Sequence, residues 1–138
     1  MSLPDARHHV FVYGTLRPGG YYHRRLVEGR PVEATPARVR GALYALAPGY
    51  PGMRPGDRWV AGEVLSFDAD ELLGALDELE GYASADPAGG EYERASCEAW
   101  TPDGTLLGTV WAYWILPAKL IEYEGRPVER WDHLGGPA

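Results

Sequence analysis

Two carboxylates and one glycine loop are the groups in this sequence whose types and spacing suit chemistry. On a helical wheel of residues 71–80, Leu72, Leu73, Leu76 and Leu79 form one stripe, Glu78 points away and Asp77 lies to the side. Glu80 falls inside the stripe, at i+4 from Leu76 and i+7 from Leu73. A helix that buries its leucines therefore carries a carboxylate to the same side, in its last turn, where the helix dipole is negative. That position disfavours the charge by roughly 0.3–1 kcal/mol, less than one pKa unit. Burial raises a carboxyl pKa further. Both effects favour a group that accepts and returns a proton near neutral pH. The alternative is that Glu80 turns past the helix end to water or pairs with an arginine. Glu63 shares a strand face with Trp59, Leu65 and Phe67. If that face is core, its carboxylate needs a partner, and we read it as structural, with an arginine as that partner.

The loop Tyr13-Gly14-Thr15-Leu16-Arg17 follows a short β-prone run, Val10 to Tyr13. A glycine at a strand end lets the chain turn sharply and approach a ligand closely. Successive amides of such a turn can form an anion-binding nest, although an ordinary strand-to-helix turn has the same spacing. Other signatures fail. Gly14-x4-Gly19 continues as Gly20-Tyr21, without the Lys-Ser/Thr of a phosphate loop. No C-x-x-C or H-E-x-x-H gives a zinc site, and no G-x-S-x-G gives a nucleophile elbow. His8 and His9 would face opposite ways on a strand and read as a frayed N-terminal edge. Cys97, flanked at i±2 by Ala95 and Ala99, reads as a small buried hydrophobe.

Few elements are needed to position these groups. Strands are expected at Val10–Tyr13, Arg38–Leu46, Trp59–Phe67, Tyr92–Trp100 and Leu106–Ile115. The last two join through Pro102-Asp103-Gly104, a hairpin signal. Tyr22–Val27 suits a short helix, and Pro48 to Gly52 a rigid loop. The clearest helix is Asp68–Glu80, with Asp68 as N-cap, Glu71 in the capping-box position and Gly81 just past the end. Beyond Pro117 the tail is polar, with Trp131 as an anchor. Five strands and one strong helix imply an α+β fold built on a small antiparallel or mixed β-barrel with flanking helices.

Composition bounds the rest. The 138 residues fit a single domain, with a core over about residues 8–116 and a C-terminal tail over 117–138. The lone cysteine excludes an internal disulfide. A net charge of −7 argues against nucleic acid. No apolar run approaches the roughly 20 residues that span a bilayer, and the N-terminus lacks a signal-peptide core. The expectation is a cytoplasmic protein, monomeric or a weak homodimer, without metal or other cofactor.

The run Val10 to Gly19 resembles the opening signature of the gamma-glutamylcyclotransferase-like superfamily, and most closely its gamma-glutamylamine cyclotransferase and AIG-two-like branch. Gly41 to Tyr44, Tyr50-Pro51-Gly52, Gly62-Glu63-Val64, Leu76-Asp77-Glu78-Leu79-Glu80-Gly81-Tyr82 and Tyr92-x-Arg94 look like further family blocks, in the family's order. The resemblance implies a small mixed β-barrel with flanking helices. It implies that Glu80 is the catalytic acid/base and that Tyr13, Gly14, Thr15 and Leu16 hold the glutamyl part of a small-molecule substrate. Arg17 and Tyr92 are candidate substrate contacts beside them. Many members carry Asn-His shortly after the loop, where this chain has Tyr22-His23.

The implied reaction is intramolecular aminolysis. A γ-glutamyl group closes on its own γ-carbonyl, and 5-oxoproline and a free amine are released. A non-catalytic module that binds a small carboxylate or a protein is the alternative. It gives no reason for a carboxylate on an apolar helix face. A glycosidase-like pair of Glu63 and Glu80 ranks last, because it requires carboxyl groups roughly 5–9.5 Å apart.

Overall fold

The structure, a computed structural model, describes residues 2–82, 90–132 and 136–137. Five strands form a ring: β1 (His8–Val12), β2 (Glu33–Ala45), β3 (Pro51–Phe67), β4 (Tyr92–Trp100) and β5 (Leu106–Ile115). The order is β3-β1-β5-β4-β2, closed by a long β2–β3 pairing. All pairings are antiparallel except β1 with β5, which is parallel. The α+β barrel is therefore of the mixed kind. Helix α1 (Asp70–Leu79) follows β3, and a single wide helical turn (His23–Val27) follows the glycine loop.

β1 explains how two cores fit one sheet. Successive side chains on a strand point to opposite faces. Phe11 and Tyr13 accordingly enter one apolar cluster, with Val39, Val60, Ala99 and Val110, which draws on all five strands and lies within the ring. Val10 and Val12 enter the other, with Leu65, Phe67, Ile115 and the α1 residues Leu72 and Leu76. A strand buried on both faces reads as a continuous apolar run, as Val10 to Tyr13 does.

The same alternation corrects the reading of β3. Within the ring the buried positions are Val60 and Val64, while Trp59 and Glu63 are half-buried and Ala61 is exposed. Leu65 and Phe67 are buried on the outer face because α1 covers that end of the strand. Residues of one parity thus range from solvent to core. Glu63 does meet an arginine, Arg17, as its burial requires.

The helix starts later than its sequence signals suggest. Ala69 is the N-cap, without a side-chain bond, and Asp70 is the first helical residue. Asp68 instead accepts a bond from the Arg7 amide at 2.9 Å, so no capping box forms. The two histidines are not frayed. Both lie in β1, where His8 bonds Asp70 (2.6 Å) and His9 bonds Ser66 (2.7 Å). Pro51 and Gly52, expected in a loop, open β3.

Cys97 is half-buried rather than buried, and desolvation lifts its thiol pKa to about 11. The hairpin turn between β4 and β5 falls as expected, with Gly104 at φ +95°. The polar tail is more ordered than its composition suggests. It forms α2 (Pro117–Glu122), β6 (Arg126–Val128) on the edge of β2, and a small β7–β8 pair (Trp131–Asp132 and Gly136–Pro137). Trp131 is buried in the ring's core. Among the described residues, no helix is long and apolar enough to cross a membrane.

Candidate active site

The end of α1 determines where Glu80 goes. Glu80 caps the helix in a right-handed conformation (φ −84°, ψ 0°). Gly81 follows at φ +68°, a region that glycine enters without strain. The Gly81 amide donates to the Glu78 carbonyl (3.1 Å) and the Tyr82 amide to the Asp77 carbonyl (2.8 Å). These two bonds make a Schellman ending, which fixes the direction in which the chain leaves the helix. The leucine stripe holds the helix on the sheet, and Glu80 extends it over a cavity of about 370 Å³ between the helix end, β1, the glycine loop and the start of β3. That volume suits a small-molecule ligand.

The glycine loop forms another wall. Arg17 N–H donates to the Gly14 carbonyl (3.0 Å), His23 N–H to Thr15 (3.0 Å) and Gly20 N–H to Arg17 (2.8 Å). The His23 Nδ1–H donates to Leu16 (2.9 Å). The carbonyls of residues 14–17 are thus consumed within the loop, which favours an anion over a cation as its ligand. Gly14 does not have a positive φ. A Cβ there would stand 3.1 Å from the Pro51 ring, so packing against β3, rather than a sharp turn, calls for glycine.

Four tyrosines complete the walls. Tyr13 donates its hydroxyl to the Tyr113 carbonyl (2.8 Å) and Tyr92 to the Pro51 carbonyl (2.6 Å). Tyr113 donates to the Asp77 carboxylate (2.6 Å), which also pairs with Arg94 at 3.0 Å. Tyr50 donates to Glu91 (2.5 Å). Burial is the first cause that raises the pKa of all four; nearby carboxylates add to it. At neutral pH they act as neutral donors and walls, not as bases.

Glu80 behaves differently. Although the residue keeps some accessible surface, its carboxyl is desolvated, and the charge of Glu91 adds to that effect. Together they lift its pKa from 4.5 to about 8. The carboxyl makes no hydrogen bond to any described residue, so the alternative of a neighbouring arginine is not realised.

Of the residues singled out from the sequence, Tyr13, Gly14, Thr15, Leu16, Glu80 and Tyr92 line this one cavity. Arg17 does not. Its guanidinium makes two bonds to Glu63, at 2.7 and 3.0 Å, with both side chains mostly buried. Glu63 is likewise absent from the lining, so the cavity pairs Glu80 not with Glu63 but with Glu91. Sequence reasoning did not single out Glu91 or Tyr113, took Tyr50 only within a loop and family block, and noted Tyr22 only as a departure from the family pattern. Tyr113 belongs to an apolar strand run that hides its hydroxyl among core residues. Glu91 precedes β4, so strand alternation says nothing of where it points. Tyr22, which stands where many relatives of the expected family carry Asn, lines the mouth. Among the described residues, no group of His, Cys, Asp and Glu could hold a metal ion.

Comparison with known proteins accords with this geometry. Residues 10–133 match the family described as gamma-glutamyl cyclotransferase, AIG2-like. The gamma-L-glutamyl-butirosin B gamma-glutamyl cyclotransferase of Niallia circulans is 34% identical over 104 residues, which are 75% of this chain but only 65% of that protein. A putative gamma-glutamylcyclotransferase of Vibrio cholerae is 36% identical over 107 residues, 78% of this chain and 81% of the relative. The solved structure of an AIG2-like protein from Mus musculus superposes with a TM-score of 0.63 at 21% identity, covering 91% of this chain and 88% of that one. The protein ytfP from Escherichia coli gives 0.59 at 27% identity, covering 88% and 92%. By the extent of these matches and by its fold, the chain belongs to the AIG2-like gamma-glutamyl cyclotransferase family.

Proposed function

We propose that this protein is a γ-glutamyl cyclotransferase that converts a γ-glutamyl amine, amide or peptide into 5-oxoproline and the free amine. The observation that carries the reading is a desolvated carboxyl, Glu80, with no partner among the described residues and a pKa of about 8, facing the same cavity as the anion-favouring loop. The substrate brings nucleophile and electrophile in one molecule, so the protein need not assemble two reactants. It must move protons and stabilise charge.

Glu80, ionised, takes a proton from the α-ammonium. The freed amine attacks the γ-carbonyl carbon, and a five-membered ring forms as the C–N bond closes. Negative charge collects on the carbonyl oxygen. Amides of residues 14–16 supply donors to the substrate's anionic oxygens. As the tetrahedral centre collapses, Glu80 returns its proton to the departing nitrogen, the bond to that nitrogen breaks, and the ring nitrogen gives up its second proton, which leaves with the released amine as an ammonium. A pKa near neutrality suits a group that must act first as base and then as acid. Tyr13, Tyr92 and Tyr113 shape the walls, and their raised pKa values keep them out of the proton traffic.

The test is release of 5-oxoproline from a panel of γ-glutamyl amines, amides and dipeptides. Glu80→Gln keeps the shape and removes proton transfer. It should lower kcat by at least about 10²-fold, the low end for a positioned acid–base group, with a smaller effect on KM. Glu78→Gln is the control, since Glu78 is exposed on the opposite face of α1. Full activity in Glu80→Gln, or equal losses in both variants, would refute the assignment.

A further inference from the structure

A cluster of arginine and tryptophan lies on the outer face of the barrel, away from the cavity. Alternation along the strands fixes its members. Val39, Val60 and Ala99 point into the ring, so their neighbours Arg38, Arg40, Trp59 and Trp100 point out. The register sets Arg40 beside Trp59, Arg38 beside Trp100, and Trp100 beside Leu106, which is 51% exposed. The row thus crosses four strands, at the end of β4 and the start of β5. The cavity lies at the other ends of these two strands, where Glu91, Tyr92 and Tyr113 line it, and no residue of the row reaches it.

Trp59 organises the row. The guanidinium centres of Arg38 and Arg40 stand 3.9 and 3.8 Å from its ring centroid, and Trp100 meets it nearly edge-on at 5.4 Å. Arg40 also donates to the Asp57 carbonyl (2.6 Å). Arg38 passes beside the β4–β5 turn, where a Cβ at Gly104 would stand 3.5 Å from its Nη2. The Arg38 Nε–H is buried without an acceptor among the described residues, although buried polar groups ordinarily have one. Neither arginine forms an ion pair with a described residue, whereas Arg7, Arg17, Arg30, Arg58 and Arg94 each do. Two ordered cations thus lack counter-charges among the described residues of a chain whose net charge is −7.

We propose that this face docks an extended acidic segment of a partner protein, with carboxylates at positions i and i+2 paired to Arg38 and Arg40. Alternate residues of a strand lie roughly 6.5–7 Å apart, so the two arginines on β2 match the alternate side chains of any extended chain laid over them. Stacking on Trp59 already holds the guanidiniums, and little side-chain freedom remains to be lost on binding. Tryptophan and arginine are the residues that most often dominate interface energetics, and Leu106 adds an apolar flank. Other occupants fit less well. A second copy that met the face about a two-fold axis would bring its own arginines against these. A nucleobase would find the Trp59 ring already engaged by two guanidiniums and by Trp100.

The test is an NMR titration of the full chain at low salt, read at the Arg38 Nε–H and at the Trp59 and Trp100 indole N–H signals. Three pentapeptides with acetylated and amidated ends serve as probes: Thr-Glu-Val-Glu-Thr, with glutamates at i and i+2; Thr-Glu-Glu-Val-Thr, of the same composition with the glutamates adjacent; and the neutral Thr-Gln-Val-Gln-Thr. Adjacent side chains of an extended chain point to opposite sides, so only one glutamate of the second probe can reach the face. The spaced probe should bind about fivefold more tightly than the adjacent one, the upper end for one exposed ion pair, and the neutral probe should bind least. Added salt should shrink the lead. Arg38→Gln and Arg40→Gln should each cost about fivefold in affinity for the spaced probe. Arg30→Gln makes the same change of charge at an arginine that pairs with Glu71, and should cost less than about twofold. Equal binding of the spaced and adjacent probes would overturn the proposal, a readout that stands even if the variants do not fold. So would equal movement of these signals with inorganic phosphate, which would mark a plain anion site, or with an oligothymidylate. Movement with protein concentration alone would also overturn it, because a second copy would then cover the face. No readout involves 5-oxoproline, so the cyclotransferase reading and this proposal fail independently.

Discussion

The raised pKa that suits Glu80 to the proposed proton transfer also carries a stability cost. Its pKa rises from 4.5 to about 8 because the folded protein desolvates it. Between those values the folded state holds a proton that the unfolded chain has released. Stability therefore falls as pH rises through that window, and levels off above it. A tenfold change in proton affinity corresponds to about 1.4 kcal/mol, so the loss amounts to a few kcal/mol. Urea unfolding of the unliganded protein should give a lower midpoint at pH 8 than at pH 5 from this group. Glu80→Gln should flatten that slope and exceed the wild type in stability at pH 8. The same ionisation should appear in activity, with kcat/KM falling as pH drops below about 8.

The helix ending is the element that places this carboxyl. Gly81 permits the two closing bonds at φ +68°. A Cβ at Gly81 would also stand 3.3 Å from the Glu91 amide, so the helix end and the approach to β4 are in close contact there. Gly81→Ala should cost about 1 kcal/mol or more, since alanine is strained at positive φ. It should lower kcat/KM beyond that modest change, because both cavity carboxylates lie beside the altered turn. Denaturant midpoints and steady-state kinetics on the same preparation separate the two effects. Asp77 ties the last turn of α1 to the barrel through Tyr113 and Arg94.

Across the whole molecule, Trp131 and the helix that carries Glu80 lie on different cores. Trp131 is buried with the ring cluster, whereas α1 packs on the outer cluster together with Tyr92 and Tyr113. Removing Trp131 empties space in the ring; of the described lining residues Phe11 and Tyr13 share that cluster, and Tyr13 stays tied to the Tyr113 carbonyl. Trp131→Ala should therefore lower stability by about 3–5 kcal/mol, typical of a buried tryptophan. At temperatures where the variant remains folded, KM should hold. A matching loss in KM would show that the two cores are coupled. The ring closure through β2 and β3 gives the mechanical basis for their independence, since each cluster rests on its own face of one continuous sheet.

What the sequence determined by itself was local and periodic. The leucine stripe with Glu80 inside it, the Gly81 stop, the five strands and the β4–β5 hairpin all follow from 3.6- and 2-residue periods and from turn chemistry, and these act over a few residues. The glycine loop was legible for the same reason. Contacts between residues distant in sequence were not. Glu63 and Arg17 are 46 residues apart, and only the ring's closure brings their side chains together. Glu91 and Tyr50 are 41 apart and meet because β3 and β4 both begin at the cavity. Asp68 satisfies every local rule for an N-cap, yet the Arg7 amide, 61 residues away, takes its carboxylate. The parity of β3 failed where α1 covers only one end of the strand, because burial depends on what lies above a face. The raised pKa of Glu80 belongs to this second class: the wheel could aim the carboxyl, but the cavity and Glu91 desolvate and crowd it.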